Sequence, residues 1–214
     1  SKVFKMRGMI GIAGVDGAHV SMDAEGHVRI WTTTPQIGQG SDTTLAQVGA
    51  QALGVDADSI TIERSDTAAA ELRGTGTFAS RSAVSTGGAI TEACGELRDR
   101  LLESAAERLE AAPGDLIIRD SKVQVAGSPG SFVEISDLAS ADPERYTLSA
   151  THDPQQAAYP YATHACIVSV DGETGQVEIL RYVVVEDCGT IINPLVVEGQ
   201  VHGATAQGVG GALL

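Results

Sequence analysis

Glycine, at 25 of 214 positions, constrains this chain more than any other residue. Lacking a Cβ, it reaches backbone conformations closed to other residues, so it marks tight turns and places where a ligand or a second backbone comes close. Aromatic residues make up only 4% while hydrophobic residues reach 43%. The core must therefore be aliphatic, and there is enough apolar material to fold. The length allows one large domain or two small ones.

Charge narrows the functions. Lys+Arg number 14 against 28 Asp+Glu, a net charge of −14. Phosphate neutralisation needs clustered cations, so the balance argues against a nucleic-acid partner and against an anionic membrane surface. The three cysteines, Cys94, Cys166 and Cys188, are widely spaced and form no CxxC pair. Neither a structural zinc nor a disulfide framework is expected, and a reducing, cytoplasmic setting is the default. No apolar run approaches the roughly 20 residues that cross a bilayer. Ser1–Lys5 shows no signal pattern. Both ends read as cut, so the chain is expected to be part of a longer polypeptide.

Periodicity organises the chain into mixed elements. His19–Met22 and His27–Trp31 flank the turn Asp23–Gly26 and read as a hairpin. Leu45, Val48, Ala52 and Leu53 recur at helical spacing, with Ser41 or Asp42 as N-cap and Gly54 as stop. Residues 59–63 alternate as a strand. A long helix is expected from about Ala89 to Ala112, then strands at 115–119 and 123–126 and a short helix at 132–139. Residues 140–160, rich in X-Pro pairs, read as a loop or linker with an extended piece. Residues 163–170 and 177–185 form the strongest hairpin. Asn193-Pro194 starts a last helix, with Asn as cap and Pro in the first turn. That helix carries Gly199, Gly203, Gly208, Gly210 and Gly211, each costing up to about 1 kcal/mol relative to Ala. So many glycines imply a close neighbour on one side. The expected fold class is α+β, with mixed, largely antiparallel sheets packed against long helices. The expected division is 1–150 and 151–214.

Three segments place small residues directly before a helix: Gly38-Gln39-Gly40-Ser41, Ala79-Ser80-Arg81-Ser82, and Asp187-Cys188-Gly189 leading to Asn193. A helix N-terminus carries about half a positive charge, and its free amides suit a phosphate or a polar ring. Taken singly, each also reads as an N-cap with a turn glycine. The histidines His19, His27, His152 and His164 are scattered and form no ligand cluster. Cys94 and Cys166 read as core, and Glu107 and Glu110 as a solvated face.

The wording of these segments, with Gly76-Thr77-Phe78 before the second, Thr190-Ile191-Ile192-Asn193-Pro194 after the third, and Val197-Glu198-Gly199-Gln200-Val201-His202-Gly203 through Gln207-Gly208, resembles the molybdopterin-binding large subunit of the molybdenum hydroxylases. This is the xanthine dehydrogenase, aldehyde oxidase and carbon monoxide dehydrogenase family. The resemblance covers nearly the whole chain, and it is nearer the bacterial members. It implies molybdopterin cytosine dinucleotide as the molybdenum cofactor. It also implies an iron–sulfur subunit with 2Fe-2S clusters, a FAD subunit, the remainder of the large subunit and a small-molecule substrate as partners.

Carried over by residue, the resemblance implies that Gln39, Gly40 and Ser41, next to Gly38, contact the pterin and its phosphate. Ala79, Ser80 and Ser82 would hydrogen-bond the pterin. The Arg81 guanidinium would face a pyrophosphate or stand as a solvated charge. Asp187 and Cys188 would lie near the dinucleotide, the alternative for Cys188 being a small buried thiol. Gln207 would approach the metal's ligand sphere, and His202 is expected to make a structural hydrogen bond. The family's base, a glutamate in a Gly-Glu motif, lies outside these residues, so no catalytic residue and no metal ligand is assigned, and the chain alone is expected to be inactive. The implied reaction is hydroxylation of an aldehyde or N-heterocycle with water-derived oxygen. The alternatives are carbon monoxide oxidation, a non-catalytic relative that no longer holds the metal, and a Gly-rich domain with no ligand.

Overall fold

The computed structural model describes residues 15–64, 74, 76–154 and 160–214. They fall into two compact units, 15–154 and 160–214. The larger begins with the expected hairpin, β1 (Asp16–Met22) and β2 (Val28–Thr32). Ala18, Val20 and Met22 recur with period two and are buried, as a half-covered strand requires. Helix α1 (Ser41–Leu53) then carries the chain to β3 (Ile60–Arg64), which pairs in parallel with β2. A parallel pair needs such a crossover. Gly49 lets α1 pass close to the sheet: a Cβ there would lie 2.9 Å from Ile30 Cδ1 and 3.2 Å from Ile60 Cδ1.

Helix α2 (Ser82–Leu109) runs for 28 residues and packs on α1, on β1 and on β7 (Thr147–His152). It starts at Ser82, not near Ala89 as the sequence suggests. Ser85, Thr86 and Gly87 are weak helix formers, but they are buried in this first part, and packing overrides propensity. At Gly88 a side chain would collide with the His152 ring. The helix ends in a left-handed residue, Glu110 (φ 50°), ahead of the expected Pro113. Leu97, Leu101, Ala105, Ile90 and Ala93 are fully buried along it. Burial pushes the Cys94 thiol up to about 12, so Cys94 is an inert core group, as expected.

Two expectations are corrected in the following stretch. The first part of 132–139 is strand: β4 (Leu116–Arg119), β5 (Lys122–Val125) and β6 (Ser128–Glu134) form an antiparallel meander, and the short helix α3 begins only at Ile135 and runs to Ala141. Pro129 is tolerated because β6 is an edge strand. Within 140–160 the extended piece is β7, hydrogen-bonded to β1 along Asp16–Ser21. The large sheet thus runs β3-β2-β1-β7. Among the described buried hydrophobics Tyr146 is the single aromatic, so the core is aliphatic, as composition demands.

The smaller unit is the hairpin β8 (Tyr161–Val170) and β9 (Val177–Asp187), followed by α4 (Pro194–Leu213). Asp171 closes the turn by accepting from the Glu173 and Thr174 amides, each at 2.8 Å. Those bonds hold its carboxyl below the usual range. The Asn193 side chain accepts from the Val196 amide at 3.2 Å, the expected cap. Cys166 is exposed rather than core, and His202 is exposed on α4. Apart from the chain neighbours and the helix's own backbone, no described atom comes within 4 Å of a Cβ position at any of the five α4 glycines. The fold as a whole is α+β with largely antiparallel sheets, as expected.

Candidate cofactor-binding site

Two of the three glycine-supported segments meet in the larger unit. The first leaves β2 and turns through Pro35–Gly40, with Gly38 (φ 99°) and Gly40 (φ 73°) in left-handed conformations. Gly40 itself is the N-cap of α1, in place of the expected Ser41 or Asp42. The Gln39 amide closes this turn: its Nε2 donates to the Pro35 carbonyl at 3.0 Å and its Oε1 accepts from the Ile37 amide at 2.6 Å. A glycine cap has no side chain to satisfy the first amides of the helix, and α1 has no side-chain cap bond. Asp42, the acidic residue of the first turn, is paired with Arg64.

The second segment folds against the first. Thr77 Oγ1 donates to the same Pro35 carbonyl at 2.9 Å. Ala79 (φ 51°) and Ser80 (φ 53°) are both left-handed and exposed. Such a conformation costs a non-glycine residue about 1–2 kcal/mol. Two in succession are kept only where the surroundings dictate them, which is typical of ligand clamps. Helix α2 follows at once, again with no side-chain cap. The Arg81 amide donates to the Phe78 carbonyl at 3.2 Å, closing the turn just ahead of the helix. Ser82 Oγ is buried with no partner.

Below the turn lies a buried polar cluster. Asp16, fully buried at the start of β1, pairs with Arg81 Nη1 at 2.8 Å, and the Arg81 side chain is 8% exposed. The same nitrogen donates to the Gly76 carbonyl at 3.1 Å. Thr86 Oγ1, on α2, donates to Asp16 Oδ2 at 2.8 Å and bonds Thr34 Oγ1 at 2.5 Å. The guanidinium also lies over the Phe78 ring, 5.5 Å from its centroid. Arg81 is thus not a solvated charge. Removing one member of a buried pair costs about 3–5 kcal/mol, because the other charge is stranded.

The third segment belongs to the smaller unit. Asp187 Oδ1 accepts from the Gly189 amide at 2.9 Å, closing its own turn, and Cys188 is exposed rather than a buried thiol. Gln207 is exposed on α4. Unlike α1 and α2, α4 has its N-terminus filled by Asn193. Among the described residues no three His, Cys, Asp or Glu side chains gather to hold a metal. Sequence reasoning missed Asp16, Thr86 and the Pro35 carbonyl. Asp16 and Arg81 are 65 residues apart, and only the folded sheet joins them.

Helices α1 and α2 thus both start without a side-chain cap, and the turns that precede them share the Pro35 carbonyl as an acceptor. A family model described as "Molybdopterin cofactor-binding domain" matches residues 3–214, and the chain belongs to this family of molybdenum hydroxylase large subunits. It is 37% identical over 206 residues to the nicotine 6-hydroxylase large subunit of Paenarthrobacter nicotinovorans, covering 91% of this chain and 25% of that protein. It is 34% identical over 208 residues to the carbon monoxide dehydrogenase large chain of Afipia carboxidovorans, covering 93% and 26%. Among solved structures, quinoline 2-oxidoreductase from Pseudomonas putida 86 matches with a TM-score of 0.84 and 36% identity, over 92% of this chain and 26% of that one. The chain therefore spans about a quarter of the length of the relatives it matches. No helix among the described residues is long and apolar enough to cross a membrane.

Proposed function

We propose that this chain forms part of the cofactor cradle of a molybdenum hydroxylase large subunit, and that its guest is molybdopterin cytosine dinucleotide. The observation that carries the reading is the pair of open N-termini of α1 and α2, joined through the Pro35 carbonyl. Their amides and the unpartnered Ser82 hydroxyl fit a guest that is anionic and rich in acceptors.

In this reading Gly38 and Gly40 allow close approach, and Gln39 stiffens the first turn while keeping one Nε2 hydrogen for the pterin. Ser41, Ala79, Ser80 and Ser82 hydrogen-bond the pterin and phosphates from the two helix starts, with Arg81 inside the same turn. By the family resemblance, Asp187, Cys188 and Gln207 of the smaller unit belong to the same set of cofactor-binding residues. The open Cβ positions of the α4 glycines suit close approach by the guest or by the remainder of the large subunit.

When bound, the cofactor supplies the molybdenum redox chemistry, by which an aldehyde or N-heterocycle is hydroxylated with oxygen from water. This chain's residues bind and orient; none of them is the base, and the chain alone has no turnover. Electrons would leave through 2Fe-2S clusters and FAD on partner subunits in the cytoplasm, with no nucleic-acid or membrane partner. Carbon monoxide as substrate is the second reading, favoured by the 34% identity to a carbon monoxide dehydrogenase large chain.

Metal and nucleotide analysis tests the reading. The full-length subunit, produced with its maturation factors, is expected to carry molybdenum and to release CMP on acid hydrolysis in equal amounts. Finding neither overturns the proposal; molybdenum with no nucleotide overturns the dinucleotide form alone.

A further inference from the structure

We propose that Asp16 is a positioning residue for the cofactor turn, acting through Arg81; this rests on the cradle reading above. Three parts of the fold meet at its carboxylate. Arg81 comes from the turn at 2.8 Å, Thr86 from α2 at 2.8 Å, and Asp16 itself stands at the head of β1. Thr34, just ahead of the first turn, joins through Thr86 at 2.5 Å. Through Gly76 the guanidinium also grips the start of the second turn, at 3.1 Å. One buried cluster therefore ties both cofactor turns to a central strand and to the helix that follows.

The cluster has a geometric task that a core packing group would not have. Ala79 and Ser80 keep left-handed conformations that their side chains disfavour. Arg81, the next residue, is the one whose side chain is anchored below. Its fork fixes where the backbone of residues 79–82 emerges, and so where the α2 amides aim. An arginine in this turn, with its charge consumed internally, orients the backbone donors and leaves anion contact to the amides and hydroxyls.

The test uses the full-length large subunit with cofactor. Asp16→Asn keeps the shape and removes the charge. Asp16→Leu with Arg81→Met replaces the pair by apolar groups, which often restores stability to a buried site. Leu97→Val is the comparison, a core change remote from the turns. The readouts are the half-life of bound cofactor, followed by CMP release, and the rate of protease cleavage within residues 76–81 of cofactor-stripped protein. Asp16→Asn is expected to shorten the half-life by about tenfold, as loss of a charge-assisted bond does, and to speed cleavage of the turn. The double variant is expected to regain the thermal midpoint but not the cofactor half-life. Leu97→Val is expected to lower the midpoint with the half-life kept. If the double variant holds cofactor as long as wild type, or if Leu97→Val loses it as fast as Asp16→Asn, Asp16 acts through stability only and the inference fails. A wild-type protein without cofactor overturns the cradle reading itself, and this inference with it.

Discussion

Truncating Leu97 to alanine is expected to lower the unfolding free energy of the larger unit by about 2–5 kcal/mol. Leu97 is fully exposure-free at the middle of α2, the helix that touches β1, β7 and α1. The aliphatic core has one buried aromatic among its described members, Tyr146, so no large flexible ring stands ready to fill the void. Dense interiors relax little around a lost side chain. Chemical denaturation of the wild type and Leu97→Ala, compared at their midpoints, measures this. A loss below about 1 kcal/mol, a value usual for surface changes, would contradict the placement of α2 at the centre of the core.

Ser80→Asp is expected to separate folding from cofactor binding. Ser80 is exposed and left-handed, a conformation that aspartate tolerates better than most residues. A carboxylate just ahead of α2 complements the uncapped amides of that helix and stabilises it by about 0.3–1 kcal/mol. The same charge opposes an anionic guest. The cofactor-free protein should therefore melt no lower than wild type, while cofactor content falls by about tenfold, the scale of one like-charge contact near a surface. Undiminished molybdenum content in this variant would remove the α2 terminus from the site.

What could be read in the sequence followed from local periodicity. The hairpins of β1–β2 and β8–β9 show alternation on both sides of recognisable turns, and Asn193-Pro194 marks the start of α4 by composition alone. The N-cap of α1 was hidden because serine and aspartate outrank glycine as caps on average. Here the backbone must turn left-handed at Gly40, which only glycine does freely. The early start of α2 was hidden for a related reason: Ser85, Thr86 and Gly87 look like loop. Their helicity comes from burial against β1 and from Thr86 bonding Asp16. Strand β6 was masked by Pro129, acceptable only at an edge.

The candidate site divides in the same way. Its glycine-supported turns were visible as words in the chain, and the family resemblance that they carry is matched over residues 3–214. The role of Arg81 was not visible. A surface arginine, an anion-binding arginine and a buried structural arginine have the same letter and the same flanking residues. Only the carboxylate at Asp16, brought close by strand pairing, distinguishes them. Cys166 shows the converse: an alternating strand reads as half-buried, yet its thiol is exposed in the smaller unit.

In the proposed cradle the first amides of α1 and α2 hold the cofactor together. Amide hydrogen exchange on the full-length large subunit, cofactor-loaded against cofactor-stripped, addresses it directly. Loading should slow exchange at the first amides of both helices, residues 41–43 and 82–83, at once, because the helix itself offers those donors no acceptor and the guest does. Unchanged exchange at both segments, with protection appearing elsewhere in the subunit, would contradict it.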